Sequence, residues 1–340
     1  MGIEDKLLIL IYSMEPQVGE GELVFVQNIH RTITANFAKN IVGQASLVES
    51  LIICLLAEGH LLVEGVPGLA KTKAVKTLAK SVQGSFKRLQ FTPDLLPADI
   101  TGTQIYNQSE GKFTTQLGPI FSNIIVGDEI NRAPAKVQSA LLESMQERQI
   151  SIAGETHKLP RPFMVMATQN PIEHEGTYVL PEAQLDRFMF KHVLMHPSLP
   201  EEIKILDELE LGDEIRIDGS VQLEDLLKAQ NIARHVFVDA KIKEYIAKIV
   251  FGLRQPKDLG LHDLQRAISF GPSPRGSIAL MFGARIHALL QGRAYATPDD
   301  VKAIAHRCLR HRIILTYEAE AEAITPDFIV DKILQTVVAP

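Results

Sequence analysis

The sequence predicts an α/β domain built on a parallel sheet with flanking helices, followed by a smaller all-helical domain. From about residue 45 to residue 196, short apolar segments alternate with segments of helical periodicity. These apolar segments are hydrophobic almost without interruption, which is typical of parallel strands that are covered on both faces. After HPSLPEE, residues 196–202, helical patterns dominate. The change of pattern predicts a domain boundary near residue 198.

Five segments are predicted to form the strands of the sheet. They are HLLVEG, FKRLQF, NIIVGDEI, FMVMATQN and FMFKHVLM, at residues 60–65, 86–91, 123–130, 163–170 and 188–195. Two more segments, residues 104–118 and 147–160, are predicted to be hairpins that project from the sheet. In the second of them, Ile150 and Ile152 alternate with polar residues ahead of the turn residue Gly154.

Helices are predicted between the strands and throughout the second domain. Apolar residues recur at helical spacing after residue 70 and over residues 135–148. Further helical patterns cover residues 201–209, 223–236, 240–253, 275–290 and 298–309. We therefore predict three regions: an N-terminal extension at residues 1–22, whose order the sequence leaves open, a core at 23–197 with its hairpin inserts, and a helical domain at 198–340.

Composition and charge narrow the functional classes. The chain has 340 residues and a formal net charge of −6, which gives no overall attraction to nucleic acid. Its long apolar runs, LLILIY and LIICLLA, are too short to span a bilayer. The start, MGIEDK, lacks the basic flank and cleavage site of a signal peptide. We expect a cytoplasmic protein without a membrane span.

The stretch GVPGLAKT, between a predicted strand and a predicted helix, has the pattern of a phosphate-binding loop. Backbone N–H groups of such a loop and of the following helix N-terminus converge on phosphates. The cradle consists of Gly65, Val66, Pro67, Gly68, Leu69, Ala70, Lys71 and Thr72. Lys71 would contact the β- and γ-phosphates of ATP, and the Thr72 hydroxyl would bind Mg²⁺. Ala70 stands where the general pattern has glycine, and its methyl group is acceptable if the residue already has a helical φ.

A second element, IIVGDEINR, is an apolar strand that ends in two carboxylates. If this strand neighbours the one before the cradle, Asp128 and Glu129 lie beside the phosphates. Asp128 would then hold the metal, and Glu129 would polarise the attacking water as a general base.

Together, GVPGLAKT, DEINRAPAKVQSALLESMQER, ATQNP and LPEAQLDRF resemble the MoxR family of AAA+ ATPases. The match runs from about IVGQ at residues 41–44 to GPSPRG at 271–276, and Ala70 also resembles that family's own cradle. The resemblance implies a P-loop NTPase (AAA+) core with a helical lid domain. The predicted hairpins are similar to the helix-2 insert and the pre-sensor hairpin of one AAA+ branch.

The resemblance also implies roles for three further residues. Asn170 resembles the sensor-1 residue, and its carboxamide would orient the water near the γ-phosphate. Arg187 resembles the arginine finger that reaches the ATP of the neighbouring subunit. Arg275 resembles the sensor-2 arginine of the lid, and the sequence does not decide whether it serves its own nucleotide or the neighbour's.

By resemblance, the protein is an ATP-driven remodeller that forms a hexameric ring and acts on protein clients, some of which carry a von Willebrand factor A domain. Three alternatives stay open. A metal-chelatase motor subunit would share almost every motif. A nucleic-acid motor would need a basic, aromatic surface, for which the hairpins offer Tyr106, Lys112, Phe113, His157 and Lys158. A nucleotide-gated scaffold would bind ATP with little turnover.

Overall fold

A computed structural model of the chain describes residues 18–66, 68–109, 111–170, 177–210 and 215–340. Most of the predicted N-terminal extension, residues 1–17, lies outside the described residues, as does Pro67 of the predicted cradle.

The core contains a five-stranded parallel sheet with the strand order β2–β5–β8–β1–β9. The strands are β1 Leu61–Glu64, β2 Phe86–Gln90, β5 Ile124–Asp128, β8 Met164–Gln169 and β9 Phe190–Val193. All five predicted strands are confirmed. Because β5, β8 and β1 are adjacent and parallel, their carboxyl ends lie together at one edge of the sheet.

Alternate residues of each central strand are buried on opposite faces of the sheet. In β1, Leu61 and Val63 belong to an apolar cluster that reaches into the second domain, whereas Leu62 belongs to a separate cluster beneath the hairpins. The strands therefore read as continuous apolar runs because both faces are covered.

Both predicted hairpins are present. Strands β3 Gly102–Asn107 and β4 Lys112–Leu117 form the first, and β6 Gln149–Ile152 and β7 Glu155–Lys158 form the second. The helices of this part of the chain are α1 Glu20–Ala38, α2 Ala45–Leu56, α3 Lys71–Ser81, α4 Pro97–Thr101, α5 Ala135–Glu147 and α6 Glu182–Leu185. The helices predicted after residue 70 and over 135–148 are confirmed as α3 and α5.

The second domain is mainly helical, as predicted. Its helices are α7 Leu199–Glu210, α8 Leu223–Arg234, α9 Ala240–Arg254, α10 His262–Ala267, α11 Pro274–Leu290, α12 Pro298–Leu309, α13 Tyr317–Ala321 and α14 Pro326–Thr336. Thr297 caps α12, and its backbone N–H donates to Asp300 Oδ2 at 2.7 Å. A short antiparallel pair within this domain, β10 Ile268–Phe270 and β11 Ile314–Leu315, was not predicted.

Helix α1 links the two parts of the chain. Val26, Ile29, Ile33 and Phe37 recur at helical spacing and are buried. They place α1 against α3 of the core and against α8 and α11 of the second domain. The helix begins at Glu20, three residues before the predicted start of the core. The proposed division into domains stays a prediction.

In the part of the chain that the structure describes, none of the helices combines the length and the apolar character that crossing a membrane requires.

Candidate active site

Three polar segments meet at the carboxyl edge of the sheet. The cradle follows β1, the acids end β5, and Asn170 follows β8. The backbone N–H of Gly65 donates to the carbonyl of Gln169 at 3.3 Å, which joins the start of the cradle to the end of β8. The sheet order thus brings the predicted nucleotide-binding and catalytic residues of this edge together.

Lys71 lies at the first position of α3, and its ammonium group turns back into the cradle. The Nζ atom donates to the Gly65 carbonyl at 2.7 Å. Burial lowers the pKa of Lys71, and the nearby carboxylates of Asp128 and Glu129 oppose this effect. One cation and two acids therefore share this edge, as the sequence predicts.

The two glycines of the cradle are required for different reasons. A Cβ on Gly65 would lie 2.8 Å from the Cβ of Leu194, which follows β9, so no larger residue fits there without a shift. Gly68 has open space around it but a φ of +88°, a conformation that L side chains rarely adopt. The first glycine allows close packing and the second allows the turn of the loop.

The condition of a helical φ at Ala70 is not met. Ala70 is the N-cap residue of α3, with φ +53° and ψ +20° in the left-handed region. This conformation brings its Cβ too close to the following carbonyl oxygen and costs roughly 1–2 kcal/mol for an ordinary L-residue. The loop must reverse direction here before the helix starts, which explains why glycine is common at this position of the general pattern.

Ala70→Gly is therefore expected to raise the free energy of unfolding by about 0.5–1 kcal/mol while ATP binding is retained. Chemical denaturation with a fluorescent ATP analogue as the binding probe measures both quantities. Ala303→Gly is the matched control, because Ala303 is exposed inside α12 and its replacement should lower stability by about 1 kcal/mol. A loss of stability in Ala70→Gly comparable to that control would contradict the argument.

A buried threonine connects the two acids. Thr168 of β8 donates from Oγ1 to Asp128 Oδ1 at 2.7 Å, and its Oγ1 accepts the backbone N–H of Glu129 at 2.9 Å. Glu129 itself has φ +56°, in the left-handed region. A non-glycine residue held there is uncommon and is often found at functional sites. Thr168 thus fixes the turn at which the Glu129 carboxylate leaves the sheet.

Strand β2 supplies two more contacts to the acids. Arg88 donates from Nε and Nη2 to Asp128 Oδ2 at 3.1 and 2.6 Å. Gln90, two residues further on the same face, donates from Nε2 to Glu129 Oε2 at 3.1 Å. Arg132 Nε also lies 3.1 Å from Glu129 Oε2, so Arg132 pairs with an acid of its own chain. These donors orient both carboxylates.

The residues at this edge fit a magnesium ion. Thr72 offers a hydroxyl in the first turn of α3, and Asp128 offers a carboxylate whose Oδ1 accepts only one neutral hydrogen bond from the described residues. Both are hard oxygen donors, and Mg²⁺ in nucleotide sites needs only one or two such protein ligands beside phosphate oxygens. Asn170 is 7% exposed and belongs to the same edge.

Arg187 lies at the opposite edge of the sheet, where the strands have their amino ends; we call this the amino edge. It precedes β9, and the backbone N–H of Met189 donates to the carbonyl of His60, the residue before β1. The five residue steps from His60 to Gly65 therefore separate Arg187 from the cradle, about 16 Å at the usual rise of a strand. The guanidinium rests on α5, where Nη1 donates to the Leu142 carbonyl at 2.8 Å.

Arg275 lies beside Arg187 rather than beside the cradle. Its Nη1 is 3.8 Å from Asp186 Oδ2, and its Nη2 donates to Gln146 Oε1 of α5 at 3.3 Å. Both arginines thus belong to the amino edge of the sheet, remote from the Lys71 of their own chain.

The sequence analysis did not predict a role for five residues: Thr168, Arg88, Gln90, Asp186 and Arg312. A signal for the first existed, since a threonine at a buried position of an apolar strand needs a hydrogen-bond partner. The other four residues lie in sequence segments without a recognisable pattern. Their contacts cannot be predicted locally, because the partners come from other strands or from the second domain.

Two family models and several known proteins match this chain. The family model for the ATPase family associated with various cellular activities (AAA) matches residues 60–190, and the model for the AAA lid domain matches residues 262–333. Chaperone MoxR1 of Mycobacterium tuberculosis is 48% identical over 329 residues, which cover 97% of this chain and 87% of that protein. The chain belongs to the MoxR family of AAA+ ATPases. It is therefore an ATPase, with a chaperone-like role and a nucleotide-binding core.

Other members of the comparison agree. Protein YeaC of Bacillus subtilis is 46% identical over 300 residues, covering 88% of this chain and 91% of that protein. Protein MoxR of Methylorubrum extorquens is 29% identical and covers 89% and 93% of the two chains. A solved structure of a protein from Cytophaga hutchinsonii, 43% identical, superposes with a TM-score of 0.89 over 94% of this chain and 98% of that one. The expected MoxR-type core and lid are thus confirmed.

Proposed function

We propose that this MoxR-family protein is a ring-forming motor that uses ATP hydrolysis to remodel or assemble partner proteins. A ring of six subunits is the form that the family resemblance implies. The main support is the division of the machinery between two edges of the sheet. Lys71, Asp128 and Glu129 lie at one edge, whereas Arg187 and Arg275 lie at the other. A site with both sets needs two chains in head-to-tail contact, and such contacts close into rings.

The residues of the carboxyl edge have distinct roles in this proposal. Cradle amides and Lys71 bind the phosphates of ATP, and Asn170 orients the attacking water. Glu129, oriented by Gln90 and Arg132, takes a proton from that water at its carboxylate. A bound Mg²⁺ at Thr72 and Asp128 would neutralise negative charge on the phosphates.

Arg187 and Arg275 complete the site of the adjoining subunit. A guanidinium at the γ-phosphate stabilises the charge that is distributed over the transferred group. Since both arginines lie next to each other at the amino edge, we infer that Arg275 acts on the neighbour's nucleotide together with Arg187. The inference favours the second of the two alternatives that the sequence leaves open for Arg275.

The hairpin β3–β4 is the surface that we propose for contact with a protein client. Ile105, Tyr106, Phe113 and Leu117 are exposed on it, and the rings of Tyr106 and Phe113 pack edge to face with centroids 5.3 Å apart. An exposed apolar group of this kind suits binding to a protein segment. Three points stay predictions: clients that carry a von Willebrand factor A domain, weak binding to nucleic acid, and the cytoplasmic location. A metal-chelatase motor stays an alternative.

Molar mass in solution tests the ring. Light scattering after size-exclusion chromatography should give about six times the monomer mass when ATP and Mg²⁺ are present, because closed cyclic assemblies satisfy every head-to-tail contact. Glu129→Gln should assemble most stably, and Lys71→Ala, which lacks the phosphate contact, should assemble least. A chain that stays monomeric with ATP and Mg²⁺ at high concentration would refute the proposal.

A further inference from the structure

The segment that carries Arg187 is held by the second domain of its own chain. This segment, residues 186–189, joins α6 to β9, and its described contacts include side chains from two separate stretches of the second domain, residues 273–275 and 311–312. These stretches are far from Arg187 in sequence, so the contact exists only in the folded chain.

Asp186 is the acidic centre of this contact. Its Oδ1 accepts a hydrogen bond from Arg312 Nε at 2.7 Å, and its Oδ2 accepts one from Ser273 Oγ at 2.7 Å. Ser273 is the N-cap of α11, and its Oγ also accepts the backbone N–H of Arg275 at 3.1 Å. Asp186, which precedes Arg187, is thereby hydrogen-bonded to Ser273, which caps the helix that carries Arg275.

Arg312 donates hydrogen bonds to the backbone on both sides of Arg187. Its side chain is 3% exposed. Nη2 donates to the Phe188 carbonyl at 2.7 Å and to the Asp186 carbonyl at 3.2 Å, and Nη1 donates to the carbonyls of Met189, at 3.2 Å, and Cys308. The neighbouring His311 adds a hydrogen bond from its ring to the Phe188 carbonyl at 3.1 Å.

Breaking these hydrogen bonds is costly in free energy, because the donors of the buried guanidinium would be left unsatisfied away from water. The second domain therefore cannot shift relative to residues 186–189 without breaking several charge-assisted hydrogen bonds at once. A movement that keeps these bonds must carry the segment along.

The same domain begins close to the cradle. Leu194, which packs against Gly65, is separated from the start of α7 by only four residues. The second domain is thus connected to the nucleotide edge of its own chain where it begins, and to the Arg187 segment through residues 273–275 and 311–312.

We propose that Asp186 and Arg312 form a clamp that makes Arg187 move as one body with the lid of its own chain. The two are positioning residues: they set where Arg187 and Arg275 stand against the adjoining subunit's nucleotide without touching that nucleotide. The position of the lid over one active site then controls the arginines delivered to the next. This inference rests on the proposed function and specifies how neighbouring sites are coupled.

Asp186→Asn in the full-length protein tests the clamp. Binding of a fluorescent ATP analogue should stay within about twofold of the parent, because Asp186 is remote from its own cradle. The ATPase rate of the assembled protein should fall about 10- to 100-fold, since small misplacements of a catalytic group have effects of that size. Asp327→Asn is the matched control: its carboxylate is held by Arg310 at 2.9 Å on both oxygens, within the second domain alone. The control should keep the parental rate.

Mixing subunits separates positioning from general damage. Glu129→Gln lacks the general base but has intact arginines, and Asp186→Asn has the reverse. In randomly mixed rings, about a quarter of the junctions combine an intact general base with intact arginines. The mixture should therefore regain up to about that share of parental activity, whereas Glu129→Gln alone is nearly inactive and Asp186→Asn alone keeps about a tenth or less. Arg312→Lys, which keeps the charge but loses the fork, should be rescued in the same way if Asp186→Asn folds poorly.

A mixture of Arg187→Ala with Glu129→Gln is the reference. If the reference regains activity but neither clamp variant does, or if Asp186→Asn hydrolyses ATP at the parental rate, the clamp is refuted and the proposed function stands. If the reference also fails to regain activity, the shared active site is refuted, and the clamp with it.

Discussion

Replacing Arg187 with alanine is expected to lower the ATPase rate of the assembled protein about 10³- to 10⁵-fold, the usual contribution of an arginine finger. That loss corresponds to about 4–7 kcal/mol of transition-state stabilisation. The physical reason is that, in the proposed ring, Arg187 would supply positive charge where negative charge is distributed over the transferred phosphoryl group. Because Arg187 lies at the amino edge, about one strand length from its own cradle, ATP affinity should change little. Steady-state phosphate release and binding of a fluorescent ATP analogue measure the two effects.

Arg31→Ala is the matched control for this experiment. Arg31 is exposed on α1 and makes only a weak contact to Asn28 among its described hydrogen bonds, at 3.3 Å. Its loss should leave the rate unchanged. Parental hydrolysis by Arg187→Ala would show that the adjoining subunit does not complete the site, and the proposed ring mechanism would then fail.

Glu129→Gln is expected to lower turnover about 10²- to 10⁴-fold, the usual contribution of a general base. Glutamine keeps the shape of the side chain and its hydrogen bonds with Gln90 and Arg132, but it cannot take a proton from water. ATP should still bind, because Lys71 and the cradle are intact. Single-turnover hydrolysis measured beside nucleotide binding separates these steps. Glu224→Gln, at an exposed glutamate in the first turn of α8, is the control.

The Glu129→Gln variant can also be used to identify the client proteins. A chain that binds ATP without hydrolysing it should retain both its ring and its bound clients, so mass spectrometry of the proteins that purify with Glu129→Gln identifies the partner class. Lys71→Ala provides the background. Equal turnover in Glu129→Gln and the parent would favour the scaffold hypothesis, and an absence of proteins beyond the background would remove the main support for remodelling.

The local patterns of the sequence predicted the carboxyl edge of the site well. The order strand, cradle, lysine and helix, and an apolar strand that ends in Asp128 and Glu129, are short-range signals. Parallel strands bring such ends to one edge whatever the details of packing, so the sequence sufficed to predict that Lys71 lies near both acids. The structure agrees on this point through the effect of both carboxylates on the pKa of Lys71.

The conformation of Ala70 could not be predicted from the sequence, for a local reason. Its left-handed φ is imposed by the reversal of the chain between the loop and α3. The identity of one residue does not specify such a conformation, because alanine by itself favours the right-handed region. Tertiary context fixed it against the residue's own preference.

Thus the sequence alone identified the family, and it predicted the phosphate cradle, the pair of acids and three further polar residues, Asn170, Arg187 and Arg275. Only the tertiary structure decided that Arg187 and Arg275 stand together at the edge away from their own cradle, and that Asp186 and Arg312 hold them there. The physical reason is sequence separation: Asp186 and Arg312 are 126 residues apart, and a hydrogen bond over that distance leaves no periodic or local trace in the chain. It exists because β9 and the second domain pack against each other.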